Sequence, residues 1–159
     1  MISKDEYYMC IAEEVLRRST CLRRKYGAVI VKDDEVISTG YNGSPRGRVN
    51  CSNLGTCPRA GVPHGERYEL CRSVHAEANA IISAARRDMI GSTLYLAGYD
   101  VEKRQYIYDA RPCLMCERLI INAGVKKIIV RSHDGVDGFQ TILSSDLGYA
   151  NELRYGKLY

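Results

Sequence analysis

Residues 74–87 read VHAEANAIISAARR, and the rest of the chain is best interpreted outward from this stretch. Small and apolar side chains such as Ala76 and Ala80 recur at helical spacing, which predicts a helix over residues 74–87. The two arginines at its end favour the same helix, because positive charge in the last turn opposes the helix dipole. His75 and Glu77, both capable of acid, base or metal chemistry, therefore lie at the beginning of a predicted helix.

The flanking segments predict a sheet covered by helices on both faces. Ser3 and Glu6 form a capping box ahead of an apolar stripe, so a first helix is predicted over residues 3–18. The other elements expected are strands at 28–31, 36–39, 93–96, 105–108 and 127–130, and helices at 113–123 and 140–147. The last strand follows a helix, which indicates parallel pairing through a helical crossover. The fold class expected is α/β.

Composition favours one compact domain over residues 1–159, with 45% hydrophobic and 26% charged residues. No run approaches the roughly 20 apolar residues that cross a bilayer, so no membrane partner is expected. The polar start MISKDEYYMC lacks the pattern of a secretory signal, which favours a cytoplasmic location. The net charge of +4 falls short of the dense basic clustering of a dedicated nucleic-acid binder and suits an anionic small molecule.

Two separated segments carry chemistry together. His75-Ala76-Glu77 and Pro112-Cys113-Leu114-Met115-Cys116 form the H-x-E and P-C-x-x-C pattern that is typical of zinc deaminases. Two cysteines three apart at a helix start can face one metal, and the free amides of the first turn stabilise their thiolates. His75 would complete three protein ligands and leave the fourth tetrahedral position open, as a catalytic zinc requires. Glu77 is then placed to move protons between water, the substrate ring and departing ammonia.

Each half of this pattern alone has an ordinary explanation. A C-x-x-C pair is often half of a structural zinc site or a redox pair, and a lone histidine before a helix is usually a surface or core residue. Seven cysteines, an odd number, in a chain without an export signal indicate metal binding or catalysis rather than disulfides. The two halves together, each opening a predicted helix, favour a catalytic zinc site.

Further segments make the chain resemble the cytidine and deoxycytidylate deaminase superfamily, and within it the deoxycytidylate (dCMP) deaminase branch. Besides the two segments above, they are Arg18-Ser19-Thr20-Cys21, Gly27-Ala28-Val29-Ile30-Val31, Gly40-Tyr41-Asn42-Gly43 and Ile120-Ile121-Asn122-Ala123-Gly124. The resemblance implies a cytidine deaminase-like three-layer α/β/α sandwich with a central mixed sheet, and conversion of the nucleotide dCMP to dUMP. It also implies a homo-oligomer, often a hexamer, with dCTP and dTTP as effectors in many members.

The same resemblance implies substrate contacts from Asn42, Gly43 and Asn79. Asn42, which lies between a tyrosine and a glycine, is also typical of an ordinary turn. Arg46 and Arg48, in the loop that follows, could meet a phosphate because arginine binds phosphate through two nitrogens, although solvated surface arginines are as common. The prediction of nucleotide contacts therefore rests more on the family resemblance than on the chemistry of these residues.

A second group of cysteines lies in segments predicted as loops. Its members are Cys21, Cys51, Cys57 and Cys71. Four soft ligands without a nearby catalytic carboxylate indicate a closed, structural zinc site that would hold the long irregular segment. Similar quartets occur in bacterial and phage members of the dCMP deaminase branch. His64 is a competing ligand, and free reduced cysteines are the alternative interpretation.

Two other functions stay open on the sequence alone. Met115 within Pro-Cys-x-Met-Cys is frequent in tRNA adenosine and free-base deaminases, but the modest charge argues against tRNA binding. The other is a non-catalytic, zinc-stabilised assembly protein, against which the intact Glu77 argues. Residues 98–111 and the stretch after Arg131 depart from the family pattern, so the sequence does not separate dCMP from CMP or a modified nucleotide.

Overall fold

The computed structural model describes residues 1–63 and 66–148. Its helices are α1 (Lys4–Leu16), α2 (Cys51–Leu54), α3 (Ala76–Ile82), α4 (Arg86–Met89) and α5 (Leu114–Ala123). Its strands are β1 (Arg24–Lys32), β2 (Glu35–Tyr41), β3 (Thr93–Asp100), β4 (Gln105–Tyr106), β5 (Lys127–Val136) and β6 (Phe139–Leu143). They form one sheet in the order β2-β1-β3-β5-β6, with β4 paired to β3. Within the described residues, no helix has the length and hydrophobicity that a membrane span requires.

The sheet is mixed, as expected. Asp33 and Asp34 both adopt left-handed backbone, with φ of 51° and 67°, which is what the two-residue turn of the β1–β2 hairpin requires. β1 also pairs antiparallel with β3, whereas β3 pairs in parallel with β5. Parallel neighbours need a crossover, and the predicted helical crossover is confirmed because α5 lies between these two strands in the chain.

Different helices cover the two faces of the sheet. Successive strand residues point to opposite faces, so Val29 packs in the core that α1 covers with Met9 and Ala12. Ile30 packs instead in the core that contains Ala80 of α3 and the buried side of α5. The arrangement is the three-layer α/β/α sandwich, and the expected fold class is confirmed.

The helix predicted over 74–87 is interrupted. α3 ends at Ile82, and α4 forms a separate short helix after it. Ser83 Oγ donates to the carbonyl oxygen of Asn79 at 2.8 Å, while the Ser83 amide bonds to Ala80 instead of continuing the α-helical pattern. The chain then extends at Ala85, where ψ is 141°, and so cannot continue the first helix.

The helix predicted over 140–147 is wrong, because this region contains strand β6. Asp137 and Gly138 both have left-handed backbone, with φ of 53° and 83°, and they turn the chain back onto β5. Phe139 and Ile142 are the buried residues of β6, and their spacing of three also fits a helix. The sequence pattern was therefore ambiguous, and pairing with β5 decides the outcome. The strand predicted at 105–108 shortens to β4.

Candidate metal centre and active-site cavity

Three possible metal ligands meet where two helices begin. His75 is the N-cap of α3 and Cys113 is the N-cap of α5, with similar extended backbone at ψ of 155° and 161°. Cys116 lies in the first turn of α5. His75 Nδ1 is 3.4 Å from Cys113 Sγ and 3.5 Å from Cys116 Sγ. In the part of the chain that the structure describes, no other set of three His, Cys, Asp or Glu side chains converges in this way.

These distances fit a tetrahedral zinc ion. Zinc bonds of about 2.3 Å to sulfur and about 2.0 Å to nitrogen place a sulfur and a nitrogen ligand about 3.5 Å apart at the tetrahedral angle. The observed separations of 3.4 and 3.5 Å match this value. One imidazole and two thiolates are ligands that zinc prefers, and three protein ligands leave one position for water. The structure thus brings together all three predicted ligands of the catalytic metal, which we call the helix-tip cluster.

The position of His75 is fixed by close backbone packing. A Cβ added at Gly40 of β2 would lie 2.3 Å from both the Ala76 carbonyl oxygen and the Ala80 nitrogen, so α3 rests directly on the strand. Gly43 and Val74 exchange backbone hydrogen bonds of 3.2 and 2.8 Å immediately before His75. The sheet therefore sets where α3 begins, and with it the direction of the imidazole.

The ligands of the helix-tip cluster share protons. A hydrogen bond from Cys116, supported by one from His75, lowers the pKa of Cys113 to about 3, although burial opposes this. The same contact raises the pKa of the Cys116 thiol. The hydrogen bond to Cys113 also raises the pKa of His75, although burial opposes this. Negative charge is therefore favoured on Cys113, and a divalent cation that bound the cluster would displace protons from its ligands.

Glu77 is a buried carboxyl beside this cluster. It is 5% exposed, and its burial raises its pKa. Its side chain lies beside Cys116 and lines the cavity onto which the cluster opens. A carboxyl with a raised pKa exchanges protons more readily near neutral pH, which is the property that a general acid and base needs.

The cavity has a volume of about 630 Å³, a size typical of small-molecule sites. Its charged lining is mostly positive, since Arg23, Arg24, Arg59 and Arg111 all border it. Arg24 Nε lies 3.6 Å from an Asp100 carboxylate oxygen, and Arg111 Nε lies 3.3 Å from Glu117. Sequence reasoning missed these arginines, because they come from separate segments that only the folded chain brings to one wall.

Asn42 lies in the wall of the cavity, as its predicted substrate contact requires. Its Oδ1 accepts hydrogen bonds from Ser19 Oγ at 2.6 Å and from the Tyr26 amide at 2.7 Å. Its Nδ2 donates to the Arg24 carbonyl at 2.9 Å. Because an amide nitrogen carries two hydrogens, the second donor of Asn42 has no partner among the described residues and is available to a ligand.

The other predicted substrate contacts border a different space. Asn79 Nδ2 donates to the Tyr41 carbonyl at 2.8 Å, and both Asn79 and Gly43 line a separate cavity of about 90 Å³. Arg46 borders that small cavity as well, while Arg48 is exposed and lines neither space. Contacts of Gly43 and Asn79 with a substrate stay predictions.

The four cysteines predicted to bind a structural zinc lie farther apart than the ligands of the helix-tip cluster. Three of them, Cys21, Cys57 and Cys71, border the large cavity, and Cys51 is buried. The Ser52 amide donates to the Thr20 carbonyl at 3.1 Å, which joins the segments of Cys21 and Cys51. Among the described residues, however, no three of the four sulfurs lie within 4.8 Å of one another. His64 lies outside the described residues.

Comparison with known proteins yields a consistent set of relatives. A family model described as the cytidine and deoxycytidylate deaminase zinc-binding region matches residues 2–132, which include the whole helix-tip cluster. A deoxycytidylate deaminase of Mycobacterium phage D29 is 41% identical over 132 residues, or 79% of this chain and 91% of the phage protein. One of Schizosaccharomyces pombe is 34% identical over 148 residues, or 92% of this chain and 42% of the yeast protein. The chain therefore spans less than half the length of that yeast relative.

A solved structure shares the fold. The crystal structure of dCMP deaminase from the cyanophage S-TIM5, in complex with dCMP and dUMP, aligns with a TM-score of 0.54 and 28% sequence identity. The alignment covers 80% of this chain and 82% of the cyanophage chain.

Proposed function

Because the chain belongs to the cytidine and deoxycytidylate deaminase family, we propose that it converts dCMP to dUMP by hydrolytic deamination. The observation that carries this proposal is the place of Glu77, a buried carboxyl beside a three-ligand zinc cluster at the wall of a cavity of about 630 Å³. The names of the relatives, and the dCMP and dUMP in the cyanophage structure, support the choice of substrate. The arginine-rich lining suits a phosphate ester.

In this proposal, metal binding and proton transfer belong to different residues. His75, Cys113 and Cys116 would hold the zinc ion, which when bound supplies Lewis acidity and lowers the pKa of a bound water to about 7. Glu77 accepts a proton from the attacking water and delivers it to ring nitrogen N3 of cytosine. Glu77 then passes the second water proton to the amino group on C4, which leaves as ammonia. The water oxygen remains on C4 as the carbonyl of dUMP, so one water is consumed per turnover.

Asn42 would orient the substrate in the same cavity. Its amide is held by bonds to Ser19, Arg24 and Tyr26, so its free Nδ2 hydrogen points from a fixed position. A donor that is already immobilised loses little entropy when it binds a ligand. Asn42 is therefore proposed as a substrate-binding residue.

We further propose that Cys21, Cys51, Cys57 and Cys71 bind a second, structural zinc ion. All four are free thiols, and the backbone bond between residues 20 and 52 already joins two of their segments. A Cys₄ zinc site needs sulfurs about 3.8 Å apart, so ion binding would draw these loops together. Reduced thiols persist in the cytosol, and a cytoplasmic location is part of the same proposal.

Assembly into a homo-oligomer, with the hexamer as the expected form, is also proposed. α5 exposes large apolar side chains in the single chain, namely Leu114, Met115, Leu119 and Ile121. Such a cluster on one short helix is typical of a protein contact. Regulation by dCTP and dTTP rests on the family resemblance alone, and the assay below includes both nucleotides.

The substrate is tested by measuring ammonia release from dCMP, CMP, deoxycytidine, cytidine and guanine with zinc-loaded protein, with and without dCTP and dTTP. We expect the highest kcat/KM for dCMP, because the cavity combines the helix-tip cluster with arginines. A preference for a nucleoside or for guanine would overturn the substrate while leaving the metal chemistry in place. Light scattering on the same sample measures the oligomeric state.

A further inference from the structure

Two of the four arginines that line the cavity lack a matching negative charge. Arg24 and Arg111 each face a carboxylate, as described above. Arg23 donates from its two terminal nitrogens to the carbonyls of Arg59 and Val62, at 3.0 and 3.3 Å. Within residues 1–63 and 66–148, neither Arg23 nor Arg59 forms an ion pair. The cavity wall therefore carries excess positive charge at this end.

Arg59 is the more buried of the two, with 8% of its surface exposed. Its Nη2 donates to the carbonyls of Glu66 and Pro63, at 2.6 and 3.4 Å. Its Nε is fully buried and has no hydrogen-bond partner among the described residues. The two carbonyls satisfy Nη2, but within the described residues no carboxylate forms an ion pair with this largely buried guanidinium. A buried charge without a counter-charge is unfavourable, unless a ligand supplies one.

The nearby carboxylate of Glu69 does not fill this role. A hydrogen bond from Arg67 is the main cause of its lowered pKa, and the charge of Arg59 contributes least. Glu69 forms its ion pair with Arg67, and both side chains are largely exposed. The charge of Arg59 is therefore available to an anion inside the cavity.

Tyr68 contacts both Arg59 and the helix-tip cluster. Its ring centroid lies 4.5 Å from Arg59 Cζ and 5.9 Å from the centroid of the His75 ring. One aromatic ring therefore contacts both the guanidinium and the imidazole, so Arg59 and the helix-tip cluster lie on neighbouring parts of the same cavity wall.

We propose that Arg59 binds the 5′-phosphate of the substrate and thereby selects a nucleotide over a nucleoside. This inference rests on the proposed nucleotide deamination and deepens it. The positive charge of Arg59 suits a phosphate. Nη1 is the nitrogen left to donate to a phosphate oxygen, because Nη2 already donates to the carbonyls of Pro63 and Glu66. Arg23 is proposed as a positioning residue, because its hydrogen bonds to the carbonyls of Arg59 and Val62 hold residues 59–62 in place. Arg46 and Arg48, which the sequence suggests for the phosphate, lie outside this cavity.

Substitution at Arg59 tests this assignment. In Arg59→Met, kcat/KM for dCMP should fall about 10- to 100-fold, mainly through KM, because a charged hydrogen bond to the phosphate is lost. The value for deoxycytidine should change by less than about twofold, since that substrate has no phosphate. Arg59→Lys keeps the charge but not the planar guanidinium that the Pro63 and Glu66 carbonyls hold in place, so an intermediate loss is expected. Arg48→Met is the matched control and should leave both substrates unchanged, because Arg48 is exposed and outside the cavity.

Equal losses on both substrates in the Arg59 variants would assign Arg59 a structural role and overturn the proposal. A loss of dCMP turnover alone in Arg48→Met would also overturn it. If Arg59→Met does not fold, as judged by thermal unfolding, an unchanged preference for dCMP over deoxycytidine in Arg59→Lys overturns it. Calorimetric titration of the wild type and Arg59→Lys with inorganic phosphate separates this idea from the deaminase assignment. Arg59-dependent phosphate binding without dCMP turnover would sustain the anion site and refute the substrate, whereas dCMP turnover with Arg59-independent phosphate binding would refute the anion site.

Discussion

The helix-tip cluster and the four-cysteine group use the same soft ligands but are held in different ways. His75, Cys113 and Cys116 stand on the first turns of α3 and α5, which pack on the sheet, and their ligand atoms meet at 3.4 to 3.5 Å. The members of the other group, except for one in the short helix α2, lie in loops. Among the described residues, no three of those sulfurs come within 4.8 Å.

If both groups bind zinc as proposed, their ligands are organised in two different ways. In the helix-tip cluster, backbone hydrogen bonds and close packing on β2 fix the ligands, so the fold prepares the geometry that catalysis needs. In the four-cysteine group, the ion itself would supply the organisation, and its binding free energy would order the loops. Loss of the first site should therefore affect chemistry, and loss of the second should affect the shape of the cavity wall.

The strongest test of this contrast is Glu77→Gln. We expect kcat for dCMP to fall by about 10²- to 10⁴-fold, because the variant cannot exchange protons with water and substrate. Zinc content should stay unchanged, since Glu77 is not one of the three converging ligands. Steady-state kinetics and elemental analysis of zinc check both points. Glu14→Gln, an exposed position on α1, is the control, and full turnover in Glu77→Gln would remove the proton-transfer role.

The dependence of the helix-tip cluster on its scaffold is tested by Gly40→Ala. The added Cβ would lie 2.3 Å from backbone atoms of Ala76 and Ala80, so α3 must shift. We expect a loss of about 1–3 kcal/mol in the free energy of unfolding, together with weaker zinc binding at the cluster. Gly43→Ala is a milder control for stability, because its nearest neighbour is the side-chain oxygen of Thr20 at 3.0 Å. Unchanged zinc affinity in Gly40→Ala would show that the cluster does not need this packing.

Local patterns were enough to predict which residues form the helix-tip cluster. His75 and the two cysteines are identified by short spacings at helix starts, and the structure confirms that they meet. The β1–β2 hairpin could also be predicted from the sequence, because two adjacent aspartates form its turn. In each case the signal lies within a few residues of the feature that it predicts.

Features that depend on tertiary contacts were missed. β6 has the burial spacing of a helix at Phe139 and Ile142, and only pairing with β5 makes it a strand. The end of α3 depends on a side-chain hydrogen bond of Ser83 that periodicity does not show. Arg59 belongs to no recognisable sequence motif. Its proposed role in phosphate binding follows only from its burial in the cavity wall and from its Nε, which has no hydrogen-bond partner among the described residues.

The four-cysteine group is tested by Cys57→Ser, which should remove one of two zinc equivalents and leave the other in place. KM for dCMP should rise about tenfold, because Arg59 lies two residues away in the same loop, whereas kcat should change by less than about twofold. Cys10→Ser, an exposed thiol on α1, is the matched control. A single zinc equivalent in fully active wild-type protein would refute the structural site, and the contrast between the two regions would then be between one metal site and a set of free thiols.

The smallest expected effect concerns an ion pair remote from both cysteine groups. Arg131 of β5 lies 2.8 Å from Glu6 of α1, and its hydrogen bond is the main reason for the lowered pKa of Glu6. A lowered carboxyl pKa stabilises the fold above the unfolded-state value of about 4.3, and this contribution is lost as pH falls through the folded-state pKa. Glu6→Gln should therefore reduce the free energy of unfolding by about 0.5–1 kcal/mol at pH 7, with a smaller difference toward pH 3.

Urea denaturation of the wild type and Glu6→Gln at several pH values measures this difference. A difference that persisted at low pH would mean that Glu6 acts through packing and not through its charge. Zinc content and kcat at pH 7 should be the same in both proteins, because the pair joins α1 to the face of the sheet opposite the helix-tip cluster. If either quantity changed, α1 would also be part of the support for the cluster, and packing on β2 alone would no longer account for its geometry.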